Sequence, residues 1–165
     1  MRLALALVVG LAGVVNACDP VHGNAVDALG PEVNGVNQGP LHRSGQPCLE
    51  CHDGTFGNPP RFTVAGTIFE NADSLTPAAG AAVTLRSSDG SPAFTKVTNS
   101  AGNFYLSAGE YQPVYPMLVT VTYQGTEAKM DSPIGRAGSC ATCHTDPAGT
   151  TSAGHVYIPD GGVTP

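Results

Sequence analysis

Apolar and polar positions alternate with a period of two through the middle of the chain. Residues 117–123, Met-Leu-Val-Thr-Val-Thr-Tyr, keep the alternation over their full length, and residues 126–130 can pair with them across Gln124-Gly125. Residues 82–86 alternate as well. Residues 94–98 follow the turn Ser88-Asp89-Gly90-Ser91, and residues 103–106 follow Ser100-Ala101-Gly102. Residues 62–69 are β-branched and aromatic. Short strands at regular spacing, separated by turn signals, predict a small antiparallel β-sandwich over residues 61–130 and a mainly β fold.

The flanks lack this rhythm. Residues 41–60 and 131–165 form two Gly- and Pro-rich loops, and the end of the second, from Ile158, is expected to fray. Residues 18–40, rich in Gly, Asn, Val and Pro, read as a linker that stands the domain off its anchor. Neither loop carries a long amphipathic helix.

Residues 1–17 have another pattern: Met1-Arg2, an apolar run from Leu3 to Val15, then Asn16-Ala17 before Cys18. One basic residue, a short apolar run and a small-residue end predict an export signal. The run is shorter than the roughly 20 residues a membrane span needs. Cleavage after Ala17 as an ordinary secretory signal is one outcome. Val15-Asn16-Ala17-Cys18 also resembles a bacterial lipobox, in which the cysteine carries the lipid. The other four cysteines have a separate use, and a leftover exported thiol needs one. The expectation is therefore a lipid anchor on Cys18, at the periplasmic or cell-surface face of a bacterial membrane.

Composition narrows the partners. The 165 residues carry a formal charge of -6, and only 12% are Asp, Glu, Lys or Arg. No basic footprint for nucleic acid is present. Hydrophobic residues make up 41%, enough for a core. Aromatic residues are only 6%, so no aromatic-rich binding stripe favours a structural or glycan-binding module. No G-x-S-x-G, P-loop or H-E-x-x-H sequence occurs.

The chemistry lies in two pentapeptides, Cys48-Leu49-Glu50-Cys51-His52 and Cys140-Ala141-Thr142-Cys143-His144. Each is C-x-x-C-H, the attachment signature of c-type haem. Two thiols add across the porphyrin vinyl groups, and the next histidine is placed to ligate iron. At this cysteine and histidine content, chance gives on the order of 0.004 such pentapeptides per chain, far from two. A zinc ribbon would place its pairs about 15–20 residues apart, much closer than Cys51 and Cys140. A thioredoxin-like dithiol would need a βαβ context. Structural disulfides would leave the two histidines unexplained. The expected cofactors are two haem c groups, held by Cys48, Cys51, Cys140 and Cys143, with His52 and His144 as proximal iron ligands.

Candidates for the opposite side of each iron are His42, shortly before the first motif, and His155, after the second. His22 in the linker and Met130 beside the second loop are further candidates. Met117 alternates with apolar residues and reads as a packing side chain. Bis-histidine ligation gives a low potential and His/Met a higher one.

The two motifs resemble those of the multihaem c-type cytochromes of Gram-negative bacteria. Between them, Val64-Ala65-Gly66-Thr67-Ile68, Ala82-Val83-Thr84-Leu85 and residues 98–106 resemble the carboxypeptidase regulatory-like or transthyretin-like sandwich. That resemblance implies a non-catalytic scaffold, with Gly102, Thr98 and Asn99 in a tight turn and Phe104 and Leu106 on one face. Together the resemblances imply a membrane-tethered dihaem cytochrome that carries single electrons between redox partner proteins. A haem enzyme or small-molecule sensor with one open axial site is the alternative reading, as is a structural or binding β-sandwich.

Overall fold

The computed structural model describes residues 20–32, 34–55 and 60–159. The export signal, Cys18 and residues 160–165 lie outside them. Among the described residues no helix is long and apolar enough to cross a membrane.

The fold is mainly β, with antiparallel sheets in a small sandwich-like arrangement. Helix α1 (Pro20–Ala28) and the short α2 (Leu49–His52) precede eight strands. These are β1 (Phe62–Thr67), β2 (Phe69–Asn71), β3 (Ser74–Pro77), β4 (Ala82–Ser87), β5 (Phe94–Val97), β6 (Asn103–Ser107), β7 (Met117–Tyr123) and β8 (Thr126–Lys129). One sheet has the order β5-β4-β7-β8, β1 pairs with β6, and β2 with β3 form a hairpin. Period-two alternation decides what is buried: Val83 and Leu85 from β4, and Met117, Val119 and Val121 from β7. They share one core with Val64, Ile68, Phe104 and Leu106. Each such side chain contributes about 1.5–3 kcal/mol on burial, so this core dominates the stability.

The six expected strands are present, with two differences. The expected strand 62–69 divides at Ile68, where the chain changes partners. Ile68 N–H donates to Gly102 O at 2.9 Å, and Phe69 N–H donates to Val156 O at 2.9 Å. Strand β3 was not expected; it is short, ends in Pro77 and exposes Leu75, so it carries no alternation to read. The turn before β6 is built as expected. Asn99 Oδ1 accepts from Ala101 N–H and Asn103 N–H, and Gly102 takes φ +72°.

Residues 20–40, expected as a free linker, are folded onto the first loop where they are described. Helix α1 packs against α2. Arg43 donates to Glu32 Oε1 at 3.1 Å and to Gly30 O at 2.9 Å, and Gln46 Nε2 donates to Leu29 O at 3.3 Å. No residue of α1 is buried. The segment is held by polar contacts from distant residues, which leave no apolar period in the sequence.

The first loop is fastened in the same way. Asn103 Nδ2 donates to His42 O at 3.0 Å, Asn99 Nδ2 donates to Pro40 O at 2.6 Å, and Gly45 N–H donates to Thr67 Oγ1 at 2.8 Å. Thr67 in turn donates to Asn103 Oδ1 at 2.7 Å. The sandwich thus fixes where the first C-x-x-C-H sequence stands.

Candidate functional site: two matched turns on one strand

Each pentapeptide folds into a single helical turn. His52 N–H donates to Cys48 O at 3.0 Å, and His144 N–H donates to Cys140 O at 2.9 Å. Positions i, i+3 and i+4 of an α-helical turn share a face, so Cys48, Cys51 and His52 of the first motif stand on one side. The second turn is tighter, with a 3-10 segment at Cys140–Thr142.

Both turns pack on β1, at opposite ends of the chain's sandwich segment. The second is laid along the strand by Ala65 N–H donating to Gly138 O at 2.9 Å and by a parallel bridge between Ala65 and Ser139. Gly66 makes room for it: a Cβ there would meet the Cys140 Sγ at 2.5 Å. Chain segments that the sequence separates widely are thereby neighbours.

All four motif cysteines are free thiols. Burial pushes Cys48 up to about 11, and Cys51 is also raised by burial. Burial pushes Cys140 up to about 12, and the nearby Cys48 adds to the rise. Burial thus favours the neutral thiol at Cys48, Cys51 and Cys140.

The histidines are posed alike. His52 is buried, and its Nδ1 lies 2.6 Å from Pro60 O. His144 Nδ1 lies 3.0 Å from Gly154 O. A carbonyl only accepts, so each Nδ1 carries the proton and each Nε2 keeps its lone pair. Orientation through the second ring nitrogen is how metal-ligating histidines are commonly held. The His52 ring also stacks on Phe62 at 4.4 Å between centroids, and Phe62 stacks on Tyr105 at 4.8 Å. Pro60, Gly154, Phe62 and Tyr105 were not expected as site residues. Two act through backbone carbonyls, which carry no sequence signal, and the rings read as ordinary strand residues.

The other candidates stand in different places. His42 is brought to the first motif, with its ring 5.9 Å from that of His52 and 18° from parallel. The two rings are therefore stacked, and His42 would have to turn its Nε2 toward the site to serve as a ligand. The His42 Nδ1 accepts from Gly39 N–H at 2.9 Å, so ligation through Nε2 requires that bond to be released. His155 is buried with both nitrogens engaged. Its Nδ1 meets the Asp146 carboxylate at 2.7 Å, and its Nε2 lies 3.0 Å from Asn71 O. Binding iron would cost it the Asn71 contact. His22 lies on α1, with Nδ1 3.8 Å from Asp53 Oδ2. Met117 is fully buried and its Sδ accepts from Tyr111 Oη at 3.6 Å, which is a packing role. Met130 is half-buried against the core.

The residues present fit covalent haem. Each turn supplies two thiols and one imidazole whose Nδ1 is held by a backbone carbonyl. Among the described residues no three His, Cys, Asp or Glu side chains converge to hold a bare metal ion. A c-type centre makes no such demand, because the porphyrin supplies four of the iron ligands. No family model, curated protein or solved structure matches this chain.

Proposed function

We propose that the chain is a dihaem c-type cytochrome that carries single electrons between redox partner proteins. One haem c is held by Cys48, Cys51 and His52, the other by Cys140, Cys143 and His144. The observation that carries this reading is the duplicated pose: two C-x-x-C-H turns, each with the histidine Nδ1 tied to a backbone carbonyl. The bound group supplies iron that cycles between Fe(III) and Fe(II). The protein's part is to attach, orient and shield. The Pro60 and Gly154 carbonyls hold the imidazole planes, and β1 keeps the two turns adjacent. His42 is the best-placed distal ligand of the first centre.

The engaged nitrogens of His155 favour a second reading, in which the second centre keeps an open axial position and senses or transforms a small molecule. Carbon monoxide separates the two. The carrier reading expects two reversible one-electron waves and no change in the reduced spectrum on adding carbon monoxide. Carbon monoxide uptake by one centre supports the sensor or enzyme, and absence of a reversible wave contradicts electron transfer.

The export reading puts the protein at the periplasmic or cell-surface face of a bacterial membrane, held by lipid on Cys18. Cys18→Ser should release it into the soluble fraction with both haems intact, since Cys18 stands outside both motifs. A variant that stays with the membrane after a carbonate wash contradicts the lipid anchor.

A further inference from the structure

His155 is a buried imidazole that the electron-carrier reading leaves without a task. Its Nδ1 lies 2.7 Å from Asp146 Oδ2 and 2.8 Å from Asp146 Oδ1, and its Nε2 lies 3.0 Å from Asn71 O. A carboxylate and a carbonyl only accept, so both ring nitrogens donate and neither keeps a lone pair for iron.

The Gly154 carbonyl and the His155 N–H belong to one peptide group, which is planar. Asp146 Oδ1 accepts from that N–H in a long bond of 3.4 Å, while the carbonyl at the other end lies 3.0 Å from His144 Nδ1. Asp146 therefore holds His155 twice, by ring and by backbone, and His144 is oriented by the far end of the plane so held. The Gly154 N–H is also bonded, donating to Ser152 Oγ at 3.1 Å. Beyond His155 the chain is fixed to β2: Phe69 N–H donates to Val156 O at 2.9 Å, and Ile158 N–H donates to Phe69 O at 3.2 Å. The Phe69 ring meets the His155 ring edge-on, with centroids 4.9 Å apart. At the first motif a stack on Phe62 also holds the His52 ring. Among the described residues no ring stacks on His144, so the Gly154 carbonyl is the one polar hold on its ring.

We propose that His155 and Asp146 are positioning residues for the second haem centre, an inference that rests on the cytochrome reading. Together they set the Gly154–His155 peptide plane, whose carbonyl keeps the proton of His144 on Nδ1 and leaves its Nε2 for the iron. A ligand histidine that donates through its other ring nitrogen is the more basic ligand. Greater basicity favours Fe(III), so the clamp keeps the potential of this centre low.

The test is a spectropotentiometric titration of the haem-loaded protein, read together with its electron paramagnetic resonance spectrum. Asp146→Ala and His155→Phe should each raise the midpoint of one haem and leave the other unchanged. The wave that moves should be the one missing from Cys143→Ala. The Asp146 side chain is 48% exposed, so its truncation disturbs little packing. Asp146→Asn, which keeps an acceptor oxygen, should stay near wild type. Unmoved potentials in both variants overturn the proposal, as does an equal shift of both haems. A change from low to high spin in His155→Phe, absent from Asp146→Ala, makes His155 an axial ligand and also overturns it. If the intact mass shows no haem, it is the cytochrome reading that fails, and the clamp is read by itself. Proton–nitrogen NMR should then show a slowly exchanging Nδ1–H on His144 that is lost in Asp146→Ala. Its absence from the wild type, or its persistence in the variant, overturns the clamp.

Discussion

Cys51→Ala and Cys143→Ala should each remove one of two covalent haems, halving the haem absorbance per chain while leaving the β-sandwich folded. The thiols proposed to bear the attachment stand on turns outside the core. Cys51 is half-buried and Cys143 exposed, and neither belongs to the cluster built by Val64, Phe104, Leu106 and Met117. Their loss therefore removes little packing, and on the proposed function one cofactor bond. The two effects should be independent, because each motif supplies its own pair of thiols and its own histidine. The absorbance of the denatured protein after acid and organic-solvent extraction reads the outcome. A variant that keeps both haems in the protein phase, or loses both, contradicts separate attachment at two motifs.

Gly138→Ala should destabilise the fold more than any other single-methyl change in the second loop. A Cβ there would land on the Thr63 carbonyl oxygen, with the Thr63 carbonyl carbon at 3.0 Å and Val64 Cα at 3.2 Å. All three are backbone atoms of β1, which pairs with β6 and cannot step aside. Thr63 is further tied by its Oγ1, which lies 2.7 Å from Tyr111 O. The loop must leave instead, losing the Ala65–Gly138 bond and the seat of Cys140 over Gly66. Overpacking of this kind costs about 1–3 kcal/mol. That corresponds to a fall in Tm on the order of 10 °C. Gly135→Ala is the control, since nothing lies within 4 Å of a Cβ there. Thermal unfolding of the two variants should differ clearly, and equal midpoints would show that the second loop does not lie along β1.

The strands were legible because one-sided burial imposes a period of two. Val83 with Leu85, and Met117 with Val119 and Val121, show it directly. The division at Ile68 was not, because it is set by Gly102 O and Val156 O, groups far away in sequence that carry no residue-type signal. The order in residues 20–40 was hidden for a related reason: Arg43 and Gln46 hold it through polar contacts instead of an apolar stripe. At the candidate site, residue spacing alone singled out both pentapeptides and their histidines. It could not show that the two turns share β1, nor that Pro60 and Gly154 orient the imidazoles. Gly66 and Gly138 were the residues that carried the missing information, and a glycine in the sequence does not say whether it serves a turn or a close approach.

The proposal of two covalent haems is tested most directly by the intact mass of the purified, denatured protein. The expected mass is that of the processed polypeptide plus two haem groups, retained after acid and organic solvent. A mass equal to the polypeptide alone, with haem absent or recovered in the solvent, would contradict the assignment of Cys48, Cys51, Cys140 and Cys143 as attachment sites.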